Sequence, residues 1–515
     1  MSITGFPEVW QNQIQDASVF FGNLQAYLLR SRWFGGKSRQ IQSIDLHRVE
    51  IVFDMCGAAI WQVNYSDGAF EWYSLALTHQ RVEGLPEDAI VSQEKGFGWV
   101  DALYTSAFSA WCWNCMVSGG GKHLSGENRL LKEKEFEQAR VLKTEQSNSA
   151  LIFNEQYFFK WFRKVDASVN PDLEIIRFLS EETDFRSIPV YRGKVEWMQP
   201  GGSTLLLAMM QDLVPNVGDA WVEFGREVHH YFEEVQLAGF SDGPTPAFEH
   251  IPEQLNALIG IPLFRKVTGL ATRTAQMHLA LASNTHLPDF APEPFDHGFQ
   301  LWMYGCLEEL CQSKFALLGN TLDALSAQDR RLAEIVLQNK NRILGFFHAR
   351  LQKPIQGLRI RVHGDYHLGQ VLSTGEDFVV LDFEGEPDKP HSMRRLKYGA
   401  LKDVAGMIRS FHYAAYAALR QHHDDPALML RLQPWAEQWY QYVNRLFLDT
   451  YLEVTKGSGL VPPKKQWVPL LQLYLFEKAI YELGYELNNR PQWAGIPLIS
   501  LEQFVRHYLS EEKKT

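Results

Sequence analysis

The stretch from Leu368 to Asp382 leaves this chain the fewest choices. Ser373-Thr-Gly-Glu-Asp377 is a polar turn cluster containing Gly375, and Phe378-Val-Val-Leu381 behind it is a short apolar run of strand formers. With residues 368–372 in front, the pattern predicts a β-hairpin. Pairing Leu372 near Phe378 brings Gln370 beside Asp382, although they stand twelve positions apart. Asp365 falls just ahead of the first strand, on a tight loop that Gly364 permits. Two carboxylates and a carboxamide then converge at one end of a small ribbon. Magnesium takes such oxygen ligands and shares them with substrate phosphates, so Gln370 and Asp382 are candidate Mg2+ ligands beside ATP. Asp365 is a candidate base for an attacking hydroxyl.

At 515 residues the chain is too long for one core and predicts two to four structural units. Its 50 basic and 61 acidic residues leave a net charge of −11, which argues against a nucleic-acid partner. No run approaches the ~18 apolar residues of a membrane span. The opening Met1-Ser-Ile-Thr-Gly-Phe-Pro7 lacks the basic and apolar parts of a secretory signal. Five scattered cysteines suit a reducing cytoplasm, and Cys112-Trp-Asn-Cys115, a lone pair, reads as two buried thiols.

Residues 1–110 read as a separate α+β module. An amphipathic opening at 9–29 leads to Arg32-Trp-Phe-Gly-Gly-Lys37 and then to strand-like runs at 41–52 and 59–65. Ser118-Gly-Gly-Gly-Lys122 lacks the spacing of a Walker A loop and reads as a connector. Residues 111–214 are rich in strands. Strands at 150–153 and 157–161 flank an Asn154-Glu-Gln156 turn, and Lys160 stands among aromatic residues, where ATP phosphates would supply its anionic partner. Asn170-Pro171 starts a helix carrying Glu174. The apolar strand at 204–215 ends in polar residues whose backbone, from Gln211 through Leu213 to Val214, suits adenine. From 215 to 515 the sequence is mostly helical, with helices expected at 329–351, 401–422 and 471–488. The last sets Lys478, Tyr481, Glu482 and Tyr485 on one face, a row suited to sugar hydroxyls and to stacking on a pyranose ring.

These residues resemble the maltokinase family, a branch of the aminoglycoside-phosphotransferase-like kinases. The matching motifs are Arg32-Trp-Phe-Gly-Gly-Lys37, Glu145-Gln-Ser-Asn-Ser149, Lys160 through Glu174, His363 to Gln370, Asp382-Phe-Glu-Gly-Glu-Pro387, Lys402-Asp-Val-Ala-Gly-Met-Ile-Arg-Ser-Phe411, and Glu477-Lys-Ala-Ile-Tyr481 through Trp493. The resemblance implies an α+β, bilobal protein-kinase-like fold: a cap domain over 1–110, a strand-rich ATP-binding lobe over 111–214 and a helical lobe over 215–515. It implies ATP-dependent phosphorylation of maltose to maltose 1-phosphate, feeding synthesis of α-glucan or glycogen from trehalose, with trehalose synthase as a possible partner. By the same resemblance Asp365 is the base, Gln370 and Asp382 bind metal, and Lys160 holds phosphate with Glu174 orienting it. Ser147, Asn148, Ser149, Gln211 and Leu213 contact ATP, while His363, Glu384, Lys478, Tyr481 and Arg490 contact the sugar. Gln370 stands where the wider superfamily has Asn, and Asp382-Phe-Glu where protein kinases have Asp-Phe-Gly.

Two other readings share these residues. A glucosamine or aminoglycoside kinase would use the same hairpin and add carboxylates for an ammonium group, a part that Glu384, Glu386, Glu482 and Glu486 can fill. A pseudokinase scaffolding trehalose synthase is the third; retention of Lys160, Asp365, Gln370 and Asp382 speaks against it.

Overall fold

A computed structural model describes residues 3–129, 135–142, 147–237, 239, 253–387 and 389–509. Glu145 and Gln146 of the quoted motif lie outside these residues. The chain divides into two compact units, one of Met1–Arg177 with Pro189–Val214, the other of Phe178–Ile188 with Pro215–Thr515.

The first unit holds two six-stranded sheets. In the first sheet, Ile41–Phe53 pairs antiparallel with Cys56–Tyr65, which also pairs with Phe70–Ser74. The amphipathic opening forms two helices, Glu8–Gln11 and Ala17–Arg30; Asp16 adopts extended backbone between them and caps the second by accepting from the Ser18 and Val19 amides. Their apolar faces bury Trp10, Phe20, Phe21 and Leu24 against Trp61 and Trp99. The second sheet runs in the order Leu124–Asn128, Tyr191–Met198, Thr204–Asp212, Tyr157–Trp161, Ser149–Phe153, Ala139–Val141. Asn154 and Glu155 turn its central hairpin, both with φ near +50° (50° and 49°). The Asn154 side chain secures this turn by accepting from the Glu137 and Gln138 amides.

The glycine run after Ser118 is no phosphate cradle. Its Lys122 and His123 amides donate at 2.8 and 2.7 Å to the carboxylate of Glu50, so an internal anion already fills it. Cys112 and Cys115 are free buried thiols on the Ser106–Ser118 helix.

The second unit is mainly helical. The helix expected at 329–351 is broken at Asn339, which leaves helical geometry (φ −103°, ψ 6°) and separates Ala327–Gln338 from Lys340–Leu351. Leu401–Arg420 lies at the centre, nearly all of it buried, and packs against Pro426–Val454 and Lys464–Asn489. Gly406 lets it come close to the 361–370 loop, since a Cβ there would stand 2.5 Å from the Tyr366 carbonyl oxygen. Among the described residues no helix is long and apolar enough to cross a membrane.

Candidate active site

The hairpin forms, with strands Val371–Ser373 and Phe378–Val380. Its register is one residue from the expected one: Leu372 faces Val379, and Ser373 faces Phe378. Gln370 ends a short 3-10 turn rather than lying within the strand. Its carbonyl still accepts from the Leu381 amide at 2.9 Å, so the backbone of Gln370 lies beside the residue that precedes Asp382. Asp382 has φ 58°, a left-handed conformation unusual for a residue with a Cβ, and strain of this kind persists only where surroundings impose it. One carboxylate and one carboxamide make a hard-oxygen donor set that fits magnesium.

Asp365 sits on the turn made by Gly364 (φ 86°), where a Cβ would press on Gly385 at 3.2 Å. Lys478 Nζ donates to Asp365 Oδ1 at 2.8 Å, and His367 Nε2 lies 3.9 Å from Oδ2. Burial alone would raise the Asp365 pKa, but the Lys478 ammonium and His367 outweigh it and hold the carboxyl well below the usual range. Lys478 in turn stays protonated: burial works against its charge, and Asp365 and Glu386 more than restore it.

The loop's shape is fixed from behind by Asp403, a residue to which the sequence reading gave no role. Its carboxylate accepts from the His363 and Gly364 amides at 2.7 and 2.9 Å and faces His278 Nε2 at 3.0 Å. The other His278 nitrogen meets the Tyr451 hydroxyl at 2.9 Å. Lys402-Asp403-Val opens a conspicuous motif, but nothing local says that Asp403 points at a loop some forty residues earlier.

His363 was expected to touch the sugar. It is 1% exposed, and Nε2 donates to the Leu381 carbonyl at 2.8 Å, so it braces the loop beside Asp382 instead. Glu384 is half-buried and absent from the cavity wall, and its carbonyl receives Arg394 at 3.4 Å. Lys478, Tyr481 and Arg490 do share one cavity, of about 450 Å3, with Asp365, Glu482 and Glu486. Trp221, Tyr413, Tyr485 and Trp493 supply aromatic walls. Glu482 accepts from Arg409 at 2.6 and 2.9 Å. Glu486 takes a bidentate bond from Arg490 at 2.7 and 2.9 Å; burial nevertheless pushes its pKa up.

In the first unit Lys160 is 5% exposed, and its ammonium meets Asp172 at 2.9 Å. The sequence singled out Glu174 for this lysine and gave Asp172 no role. Asp172 reaches the strand because it lies in the helix's first turn, directly after the Asn170 cap, where side chains lean back toward the N-terminus. Arg163 anchors the motif residues beside it: Nε donates to Ser149 Oγ at 2.7 Å, the Arg163 amide to Asn148 Oδ1 at 3.4 Å, and Asn148 Nδ2 to Ser147 Oγ at 3.3 Å. Gln211 pairs in the sheet with Phe158, and the Leu213 amide is spent on the Gln156 carbonyl at 2.8 Å, which leaves that amide unable to meet adenine.

Comparisons with known proteins agree on the fold. No family model matches. A glucosamine kinase from Streptacidiphilus jiangxiensis is 27% identical over 246 residues, 47% of this chain and 50% of the relative, so the match spans about half the length of that protein. A glucosamine kinase from Mycolicibacterium smegmatis is 24% identical over 361 residues, 70% of this chain and 77% of that one. Among solved structures, a glucosamine kinase in complex with glucosamine, ADP and inorganic phosphate superposes with a TM-score of 0.62 at 18% identity, covering 93% of this chain and 98% of that one. A second crystal form reaches 0.64 at 18%, covering 96% and 100%. The chain therefore has an α+β, kinase-like fold, and these relatives bear the name glucosamine kinase rather than maltokinase.

Proposed function

We propose that this chain transfers the terminal phosphoryl group of ATP to a hydroxyl of a small sugar, with an amino sugar of the glucosamine kind as its acceptor. The observation that carries the reading is Asp365, held ionised by Lys478 in the wall of a cavity lined with aromatic rings and carboxylates. The relatives' names favour the amino sugar, and the Glu482 and Glu486 carboxylates, although bonded to Arg409 and Arg490, bring negative charge to the cavity wall where an ammonium group would sit. Maltose is the second reading. A cavity of about 450 Å3 lies within the ~300–1,000 Å3 of sites for drug-sized ligands, a range that a disaccharide also falls in. A trehalose synthase partner belongs to that second reading alone.

In this reaction the acceptor oxygen forms a bond to the γ-phosphorus as the bond to ADP breaks. Asp365 takes the hydroxyl proton late, when the oxygen has become acidic, because so strong a conjugate acid is a weak base early on. Gln370 and Asp382 would hold Mg2+, which when bound neutralises phosphate charge. Lys160 is the candidate phosphate-holding cation, with Asp172 its ion-pair partner and Glu174 its proposed orienting carboxylate, and Ser147 to Ser149 and Gln211 keep their proposed nucleotide roles.

A sugar panel with ATP and Mg2+, scored by ADP release, tests the reading. Glucosamine should be turned over well. Faster turnover of maltose would hand the function to the second reading, and no turnover of any sugar would end both.

A further inference from the structure

Beneath the acceptor cavity lie buried charges that the reading above does not use. Lys402 has a side chain 10% exposed and meets Glu477 at 3.1 Å, with the Tyr398 and Tyr474 rings 5.0 and 5.9 Å from its Nζ. Glu386 is 6% exposed and pairs with Lys389. A void of about 20 Å3, room for about one water, is lined by Gly364, Glu386, Lys402, Gly406, Glu477 and Lys478. Both charges thus line one small void together with Lys478 and with Gly364 of the turn that carries Asp365. Read outward from the base, the signs alternate: Asp365, Lys478, Glu386, Lys402, Glu477.

The order has a physical consequence. Buried charges persist only when paired, so each member depends on its neighbours. Lys478 has three donors on a flexible stem. Asp365 takes one of them, and Glu386, on the wall of the same void, also attracts the ammonium. Glu482, one helical turn further along in the cavity wall, is a competing anion. Without Glu386, or without the Lys402 that together with Lys389 keeps Glu386 ionised, one attraction holding the ammonium at Asp365 is lost, and Glu482, although bonded to Arg409, competes for it.

We propose that Lys402 and Glu386 are positioning residues: anchored by Glu477, they hold Lys478 against Asp365 and thereby set the orientation and charge of the base. This rests on the phosphotransfer reading and deepens it. The groups that face Asp365 are Lys478 from the Lys464–Asn489 helix and His363 and His367 from its own loop. Those that face Lys402 are Glu477, Glu386, Tyr398 and Tyr474. With Lys478 displaced, burial of Asp365 acts unopposed except by the two histidines, and its proton affinity rises.

The test uses Lys402→Met, Glu386→Gln and Lys402→Arg in the full chain, assayed from about pH 4 to about pH 9 with whichever sugar the wild type phosphorylates. The first two should lose about 10- to 100-fold in kcat, as loss of a supporting partner commonly does, while KM for ATP holds. Their acid limb, which in the wild type lies below the assayed range, should rise into it, and Lys402→Arg should keep it below. A folded Lys402→Met with the wild-type acid limb overturns the proposal; if that variant does not fold, an unchanged limb in Glu386→Gln does the same. Should the wild type phosphorylate no sugar, the functional reading fails by itself. Crystal structures of the two variants then decide the positioning role: Lys478 still 2.8 Å from Asp365 refutes it, and Lys478 turned to Glu482 upholds it.

Discussion

Asp403→Asn removes one charge and almost no volume, which makes it a sharp test of how the catalytic loop is held. The carboxylate is 1% exposed and serves the His363 and Gly364 amides and His278 at 2.7, 2.9 and 3.0 Å. Burial alone would raise its pKa, yet His278, His363 and the Gly364 amide keep it below the usual range. An asparagine offers one acceptor oxygen, so its NH2 must face one of the two backbone N–H groups. A charge-assisted bond is lost, about 1.5–3 kcal/mol, and a buried donor goes unmet, about 1–3 kcal/mol. Together the cost is about 2.5–6 kcal/mol. At ~2–4 °C per kcal/mol for domains of ~150–250 residues, and less for larger ones, Tm of the helical unit should fall by about 5–10 °C. Scanning fluorimetry reads this, and kcat should drop in parallel because Asp365 follows Gly364 in the chain. Asp425→Asn is the control: Asp425 caps an exposed helix end through the Leu428 amide at 2.9 Å, a position where Asn serves equally well. If Asp403→Asn melts and turns over like that control, the account of the loop is wrong.

Asp365→Asn should abolish phosphotransfer while ATP binding, followed by calorimetry, stays largely intact; equal turnover would strip Asp365 of its role. Gly364→Ala must hold φ 86° with a Cβ pressed against Gly385 at 3.2 Å, so a loss of about 1–3 kcal/mol in denaturant melts should accompany a lower kcat, and a neutral result would mean the turn has relaxed. The helical unit should also weaken in acid. Asp365, Glu386 and Asp403 all have folded pKa values depressed below their ordinary ones, so the stability they contribute is present above about pH 4–5 and is lost as pH falls toward the folded values. A urea midpoint flat from pH 7 to about pH 3 would contradict these shifts.

What could be read from the sequence was local. The hairpin was visible because Ser373 to Asp377 carry their own turn chemistry: Thr374 and Asp377 bond each other, and Ser373 Oγ receives the Gly375 amide. Those same bonds fix the register one residue from the expected place, a detail that composition does not encode. The row Lys478, Tyr481, Glu482, Tyr485 followed from helical spacing and does line one cavity. The rest was hidden because it depends on distant pairings. Asp403 answers a loop about forty positions earlier, and Lys402 answers Glu477 some seventy-five positions later. The Lys160–Asp172 pair was missed because it depends on helix-start geometry, not residue type.

One buried knot in the first unit bears on how this chain can be cut and recombined. Asp101 and Arg163, both 0% exposed, meet at 2.5 Å; Tyr27 donates to Asp101 at 2.8 Å, and Trp33 lies 4.6 Å from the guanidinium. Three of the four residues precede position 110, and the fourth follows it by more than fifty. A scissor placed near 110 would strand an orphan anion on one fragment and an orphan cation on the other. The opening segment is thus a poor candidate for transplantation between proteins, and a usable excision has to carry the 157–165 stretch along with it.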